Sequence, residues 1–208
     1  MTSRSIVPIE LPAEWIPYIV ELRLERSYIT DLAPVAALTS LRRLVLTRSR
    51  ISSITPLAAL TNLRHLHLSF TAVHDLTPLA SMTELRGCFL TGSLVEDVKP
   101  LAALARLERL DLGDTRVSDV TPLARLHRLC SLDLSGTRIA DVAPLSGLTA
   151  LQYLDLSSTR VADLSALIRL ANLRWLVLRH TAVAAPRLPN CEIITAPVAA
   201  RSTRPARQ

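Results

Sequence analysis

The sequence predicts an α/β solenoid: a curved stack of short coils with a parallel β-sheet on its concave face and short helical or 3-10 turns on its convex face. Three observations carry that prediction. The phrase LCSLDLSGTRIADVAPLSGLTA at residues 129–150 returns at once as LQYLDLSSTRVADLSALIRLAN, and this period of 22 residues holds for eight units over residues 19–194 without insertion or deletion. Within a unit the apolar letters keep fixed places. Each unit also opens on a short period-two alternation, and most carry a Pro-Leu pair further on.

The units begin at Ile19, Leu41, Leu63, Leu85, Leu107, Leu129, Leu151 and Leu173. Positions 1, 4, 6, 11, 14, 17 and 20 are apolar almost throughout; the fourth unit supplies Leu85, Cys88, Leu90, Val95, Val98, Leu101 and Leu104. Coils of equal length stacked in register turn each column into a line of side chains, so these columns predict one shared core.

Positions 3 to 7 alternate, as in Ser131 to Ser135, which predicts a strand with Leu132 and Leu134 inward and Ser131, Asp133 and Ser135 outward. So short a strand persists only beside its copies, ~4.8 Å away, and eight of them span about 34 Å along the inner edge. Next comes T-x-V/I, a turn, and then P-L-x-x-L. Pro56, Pro78, Pro100, Pro122 and Pro144 stand where a first helical residue belongs, with Thr55, Thr77 and Thr121 before them as candidate caps. Thin turns outside and strands inside make the stack curve.

The pattern LxxLxLxxTxIxDxxPLxxL resembles the leucine-rich repeat, and its 22-residue period with PL after D-x-x is similar to the internalin-type and phosphatase-regulator-type classes of that family. The resemblance covers 176 of the 208 residues. It implies a scaffold that acts through protein contacts. At position 9 the family usually has asparagine, whereas this chain has Ser27, Ser49, Thr71, Ser93, Thr115, Thr137, Thr159 and Thr181. An asparagine both donates and accepts towards neighbouring turns; a hydroxyl has a single proton to donate, so some backbone groups must find another partner.

At the ends, residues 1–18, with Pro8, Pro12, Trp15 and Tyr18, are expected to form an amino-terminal cap over the first unit's leucines. The last unit loses its pattern after Val183, and PRLPNCEII is expected to fold back and close the core, with Cys191 to Ile194 extended. Residues 195–208 lack apolar periodicity and read as a disordered basic tail. They hold Arg201, Arg204 and Arg207, so of the formal net charge of +6 the rest carries +3. Only Lys99 among the 24 basic residues is lysine.

The start lacks a signal-peptide apolar core, and no run approaches the roughly 18 apolar residues of a membrane span, so the expectation is a cytoplasmic chain with no membrane contact. Export by a route that needs no signal peptide stays open. Cys88, Cys130 and Cys191 show no CxxC spacing and point to neither a disulfide framework nor a zinc site. There is no glycine-rich phosphate loop, no G-x-S-x-G and no metal-spaced His/Cys cluster; the reading is a non-enzymatic monomer without cofactor or metal.

Outward positions 3, 5, 7 and 8 remain for function. Position 3 reads Glu21, Arg43, His65, Gly87, Arg109, Ser131, Tyr153, Trp175, and position 5 reads Arg23, Val45, His67, Phe89, Asp111, Asp133, Asp155, Val177. The face is basic early (Arg23, Arg26, Arg43, Arg48) and acidic late (Asp111, Asp114, Asp133, Asp155). Three carboxylates on neighbouring strands repel by nearly 1 kcal/mol per pair at ~4.8 Å even in water's dielectric, which fits a site for a basic partner surface or a cation or, alternatively, the ordinary LDL wording of the repeat relieved by Arg109 and water. None of the seven aromatic residues falls in a core column, so Phe89, Tyr153 and Trp175 read as interface anchors. His65 and His67 form a His-x-His pair with no third ligand and with Arg43 beside it, best read as solvated. Arg116, Arg138 and Arg160 beside Asp119, Asp141 and Asp163 read as exposed ion pairs. The proposed concave-face set is thus Arg43, His65, His67, Phe89, Arg109, Asp111, Asp133, Tyr153, Asp155 and Trp175, offered to a protein partner. The alternative is nucleic acid or another anionic surface, held by the basic early repeats and the tail arginines.

Overall fold

The computed structural model describes residues 12–184, 186–188 and 190–195. Most of the proposed tail, its three arginines included, and residues 1–11 of the proposed cap lie outside the described residues. Nine three-residue strands are described: β1 (Glu21–Arg23), β2 (Arg43–Val45), β3 (His65–His67), β4 (Gly87–Phe89), β5 (Arg109–Asp111), β6 (Ser131–Asp133), β7 (Tyr153–Asp155), β8 (Trp175–Val177) and β9 (Glu192–Ile194). They form one parallel sheet in chain order. From β1 to β8 each residue pairs with the one a whole repeat later, so Leu110, Leu132 and Leu154 lie side by side, as do Asp111, Asp133 and Asp155. The ninth strand, from the expected extended closing segment, breaks the period and pairs Trp175 with Glu192.

The strand stops at position 5 rather than running to position 7. The reason lies at position 8, where the backbone turns left-handed in every coil: Arg26, Arg48, Phe70, Gly92, Asp114, Gly136, Ser158 and His180 all have φ between 53° and 66°. The chain leaves the sheet plane there, yet the ladder continues, Leu134 N–H donating to the Asp155 carbonyl at 2.9 Å and Gly136 N–H to that of Ser157 at 2.8 Å.

The apolar columns are buried without interruption from Leu32 to Leu178, including Cys88, whose thiol burial pushes up to about 12. Each leucine so enclosed contributes roughly 1.5–3 kcal/mol relative to exposure. The position-9 hydroxyls work inside their own coil. Thr137 Oγ1 donates to the Leu134 carbonyl at 2.5 Å, and Ser27, Ser49, Thr71, Thr115, Thr159 and Thr181 do the same to position 6. Ser93 Oγ, equally buried, has no partner.

On the convex side the returns are 3-10 turns; the five from Thr55–Ala59 to Ala143–Gly147 have the proline as second residue and a buried leucine as third, whereas Ala33–Val35 has Val35 third and Ser165–Arg169 has Ala166 second. The threonines before the prolines do not cap these turns. Instead the position-13 aspartate accepts the first N–H of the turn: Asp75 from Thr77, Asp97 from Lys99, Asp119 from Thr121, Asp141 from Ala143 and Asp163 from Ser165, each at 2.8 Å. These bonds also overturn the expected ion pairs. Arg116, Arg138 and Arg160 lie within salt-bridge distance of no carboxylate among the described residues, because Asp119, Asp141 and Asp163 face their own backbone. The Thr121 and Ser165 bonds hold Asp119 and Asp163 below the usual carboxylate range.

At the amino-terminal end a 3-10 helix, Ala13–Tyr18, supplies Ile16, which with Ile19 and Leu22 packs against the core, while Trp15 and Tyr18 stay exposed. At the other end Val183, Leu188, Cys191 and Ile193 pack against the last leucines.

Candidate functional site

Register alone assembles the site. Position 4 points into the core, so positions 3 and 5 point away from it, and pairing lines them up as two parallel rows. One runs Arg43, His65, Gly87, Arg109, Ser131, Tyr153, Trp175; the other runs Val45, His67, Phe89, Asp111, Asp133, Asp155, Val177. All ten residues proposed from sequence lie on these rows, yet they differ in what they offer.

Early strands surround an open hollow of about 590 Å³ lined by Arg23, Arg26, Arg43, Arg48, Glu25 and His67, among others. Arg23 Nε donates to Glu21 Oε1 at 2.7 Å, a bond that lowers the glutamate pKa, and Arg43 stands 4.0 Å from the same carboxylate. Arg26 and Arg48 have no carboxylate that close among the described residues.

Mid-face, His67 stacks flat on Phe89, ring centroids 4.3 Å apart and 7° from parallel. Gly87 makes the room: a Cβ there would stand 2.8 Å from His65 Nδ1 and 3.1 Å from Phe89 Cε2. Burial, then Arg43, pushes both histidines below their ordinary value. His67 Nε2 is buried without a partner. Among the described residues no group of three His, Cys, Asp or Glu side chains is placed to hold a metal.

Late strands carry the aspartate row. Asp111, Asp133 and Asp155 each use Oδ1 to accept an N–H two residues on, from Gly113 at 3.0 Å and from Ser135 and Ser157 at 2.8 Å. The LDL wording therefore has a structural use, tying off the strand end. Charge relief by Arg109 is absent, since no ion pair reaches the row among the described residues. Burial first, then Asp111 and Asp155, raise the Asp133 pKa above the usual carboxylate value. Tyr153 donates its hydroxyl to Asp155 Oδ2 at 3.3 Å, and burial beside the carboxylates pushes it to about 12.

Of the three expected aromatic anchors, Phe89 and Tyr153 are half-buried and engaged with neighbours; Trp175, 42% exposed, is the one presented outward. The sequence reading missed the left-handed column; it placed Tyr28 and Phe70 outside the core columns but left them out of the anchor set, although they are 71% and 48% exposed. Two of the chain's five glycines, Gly92 and Gly136, stand in that column, and this was the available signal.

A curved parallel sheet capped outside by 3-10 turns, with a solvent-open face read along its columns, defines a solenoid scaffold. A family model described as leucine-rich repeats (two copies) matches residues 39–81 and 127–169. The chain is similar to internalin C2 of Listeria monocytogenes, at 33% identity over 78% of this chain and 74% of that one, with a TM-score of 0.75. It shares the fold of a second L. monocytogenes internalin, internalin F (24% identity, 89% and 69% covered, TM-score 0.65). A leucine-rich repeat protein of Leptospira interrogans has it too (19% identity, 84% and 53% covered, TM-score 0.72). No curated protein matches the sequence. The chain belongs to the leucine-rich repeat family, whose fold is generally a protein–protein interaction scaffold and typically non-enzymatic. No helix among the described residues is long and apolar enough to cross a membrane.

Proposed function

We propose that the concave sheet face binds a protein partner, with the acidic late strands receiving cationic side chains and Trp175 serving as the apolar anchor. One observation carries this reading: three carboxylates stand on adjacent strands without a compensating cation, at a place where the middle one already resists ionisation. The fold needs only one oxygen of each to accept an N–H, a task asparagine performs equally well, so the charge itself points to a partner. A lysine or arginine brought to the row relieves like-charge repulsion and forms a charge-assisted bond. The basic early end gives the face a second sign of charge, which fixes the direction in which a partner lies across it.

The test compares partners captured from native lysate by the intact chain and by a variant carrying Asp111→Asn, Asp133→Asn, Asp155→Asn and Trp175→Ala. The expected result is loss of the captured protein with an unchanged circular dichroism spectrum. Equal recovery by the two sinks the reading.

A further inference from the structure

The left-handed backbone at position 8 suits glycine and disfavours a bulky side chain, whose Cβ crowds the neighbouring carbonyl. Coils four and six place Gly92 and Gly136 there; the first three place Arg26, Arg48 and Phe70, with φ of 54°, 59° and 56°. Long side chains held in three successive coils at a strained position call for a use outside the fold. They stand at the carboxyl ends of the strands, next to position 10, which supplies Tyr28, Arg50, Ala72 and Leu94.

Two contacts organise this rim. The Arg48 guanidinium carbon lies 5.1 Å from the centre of the Phe70 ring, and that of Arg50 lies 4.7 Å from the centre of the Tyr28 ring. A guanidinium laid on a ring keeps its N–H edge free for two-point bonding to a carboxylate. None of Arg26, Arg48 and Arg50 has a carboxylate within 4.0 Å among the described residues. Phe70 stands between Arg48 in the coil before and Gly92 in the coil after, where a Cβ would come within 2.6 Å of the ring. Tyr28, Phe70 and Leu94 remain exposed between these charges.

We propose that Arg26, Tyr28, Arg48, Arg50, Phe70 and Leu94 form a docking rim for an acidic segment of a protein partner, its carboxylates on the guanidiniums and an apolar side chain against Phe70 and Leu94. Charge complementarity sets the sign of the partner, and arginine interleaved with aromatic rings is the composition of interface hot spots. A nucleic acid fits less well. Bases stack on open ring faces, and each ring here already gives one face to its own arginine. Glu21 and Glu25 also interrupt a phosphate-tracking basic surface alongside. The rim is distinct from the aspartate row, and it adjoins the basic hollow through Arg26 and Arg48.

The experiment measures anisotropy of a short fluorescein-labelled peptide alternating glutamate and leucine, titrated with the full chain. Controls are a glutamine and leucine peptide of equal length and a single-stranded oligonucleotide. The acidic peptide binds, and both controls bind more weakly. Arg48→Glu with Arg50→Glu lowers its affinity roughly tenfold or more, as expected for losing charge-assisted bonds. Phe70→Gly, which suits the left-handed backbone, weakens binding without lowering the melting temperature. Asp133→Asn with Trp175→Ala leaves peptide affinity unchanged, which separates this rim from the late-strand surface. The proposal is overturned by equal affinity for the glutamate and glutamine peptides, by tighter binding of the oligonucleotide, or by full affinity in the Phe70→Gly and double-glutamate variants.

Discussion

Leu132 and Asp133 are adjacent in sequence and belong to opposite worlds. The line Leu110, Leu132, Leu154 is fully enclosed and repeats its letter because the same packing problem recurs in each coil. The line Asp111, Asp133, Asp155 repeats just as faithfully, half-exposed, with one oxygen tied to the backbone and its charge uncompensated. Repetition thus has two causes here. In the interior it reports packing; on the surface it reports a local hydrogen bond on which a charge is superimposed.

The largest blow to the interior line is Leu132→Ala. Truncation of a fully buried leucine is expected to cost about 2–5 kcal/mol, read as a lower urea midpoint, whereas Asp133→Ala loses its bond to Ser135 and at the same time relieves like-charge repulsion with Asp111 and Asp155. A smaller loss for Leu132→Ala than for Asp133→Ala would erase the distinction between the lines.

The hydroxyl column sharpens it further. Thr137→Val removes the hydroxyl donor to the Leu134 carbonyl, which keeps only the longer bond from the Thr137 backbone N–H at 3.3 Å, at a cost of roughly 0.5–1.5 kcal/mol. Ser93→Ala removes a hydroxyl that bonds to nothing and is expected to leave the midpoint unchanged. Equal losses at the two sites would mean that the column acts by size alone.

On the convex side the contrast is between Asp141 and Arg138. Loss of a side-chain cap costs about 1 kcal/mol, so Asp141→Ala lowers stability while Arg138→Ala does not. Had the two formed an ion pair, the effects would be alike. Sequence reasoning paired them because residues three apart with opposite charge look like partners; it did not see that the aspartate has a nearer claimant in the N–H of Ala143.

Much of the molecule was legible for the same reason that it is stable. An exact period converts sequence position into spatial column, so the core, the sheet register and both rows of the concave face follow from counting. Backbone conformation is not encoded that way. Left-handed geometry at position 8 shows only through Gly92 and Gly136, because Arg26, Arg48 and Phe70 occupy the same turn under strain. Side-chain pairings within a face, such as His67 on Phe89 or Tyr153 on Asp155, depend on rotamers that a column of letters does not contain.

The finest test of the surface line is Asp133→Asn. An asparagine oxygen still accepts the Ser135 N–H, so the strand end is kept and only the charge is removed. Like charges ~4.8 Å apart repel by nearly 1 kcal/mol per pair in water's dielectric, and Asp133 has such a neighbour on each side, so the variant is expected to gain up to about 2 kcal/mol, or about 4–8 °C in melting temperature for a chain of this size. The pH dependence follows from the direction of the shift. Burial raises the folded-state pKa of Asp133 above its unfolded value, so between the two values the folded chain holds a proton that the unfolded chain has released. The contribution is fully present below the ordinary carboxylate range and is lost as pH rises through the raised value. The difference in melting temperature between variant and unaltered chain should therefore be smallest in acid and grow towards neutrality. A difference that stays flat with pH would show that the Asp133 charge is already balanced, and with it the case for a cationic partner on this row would fall.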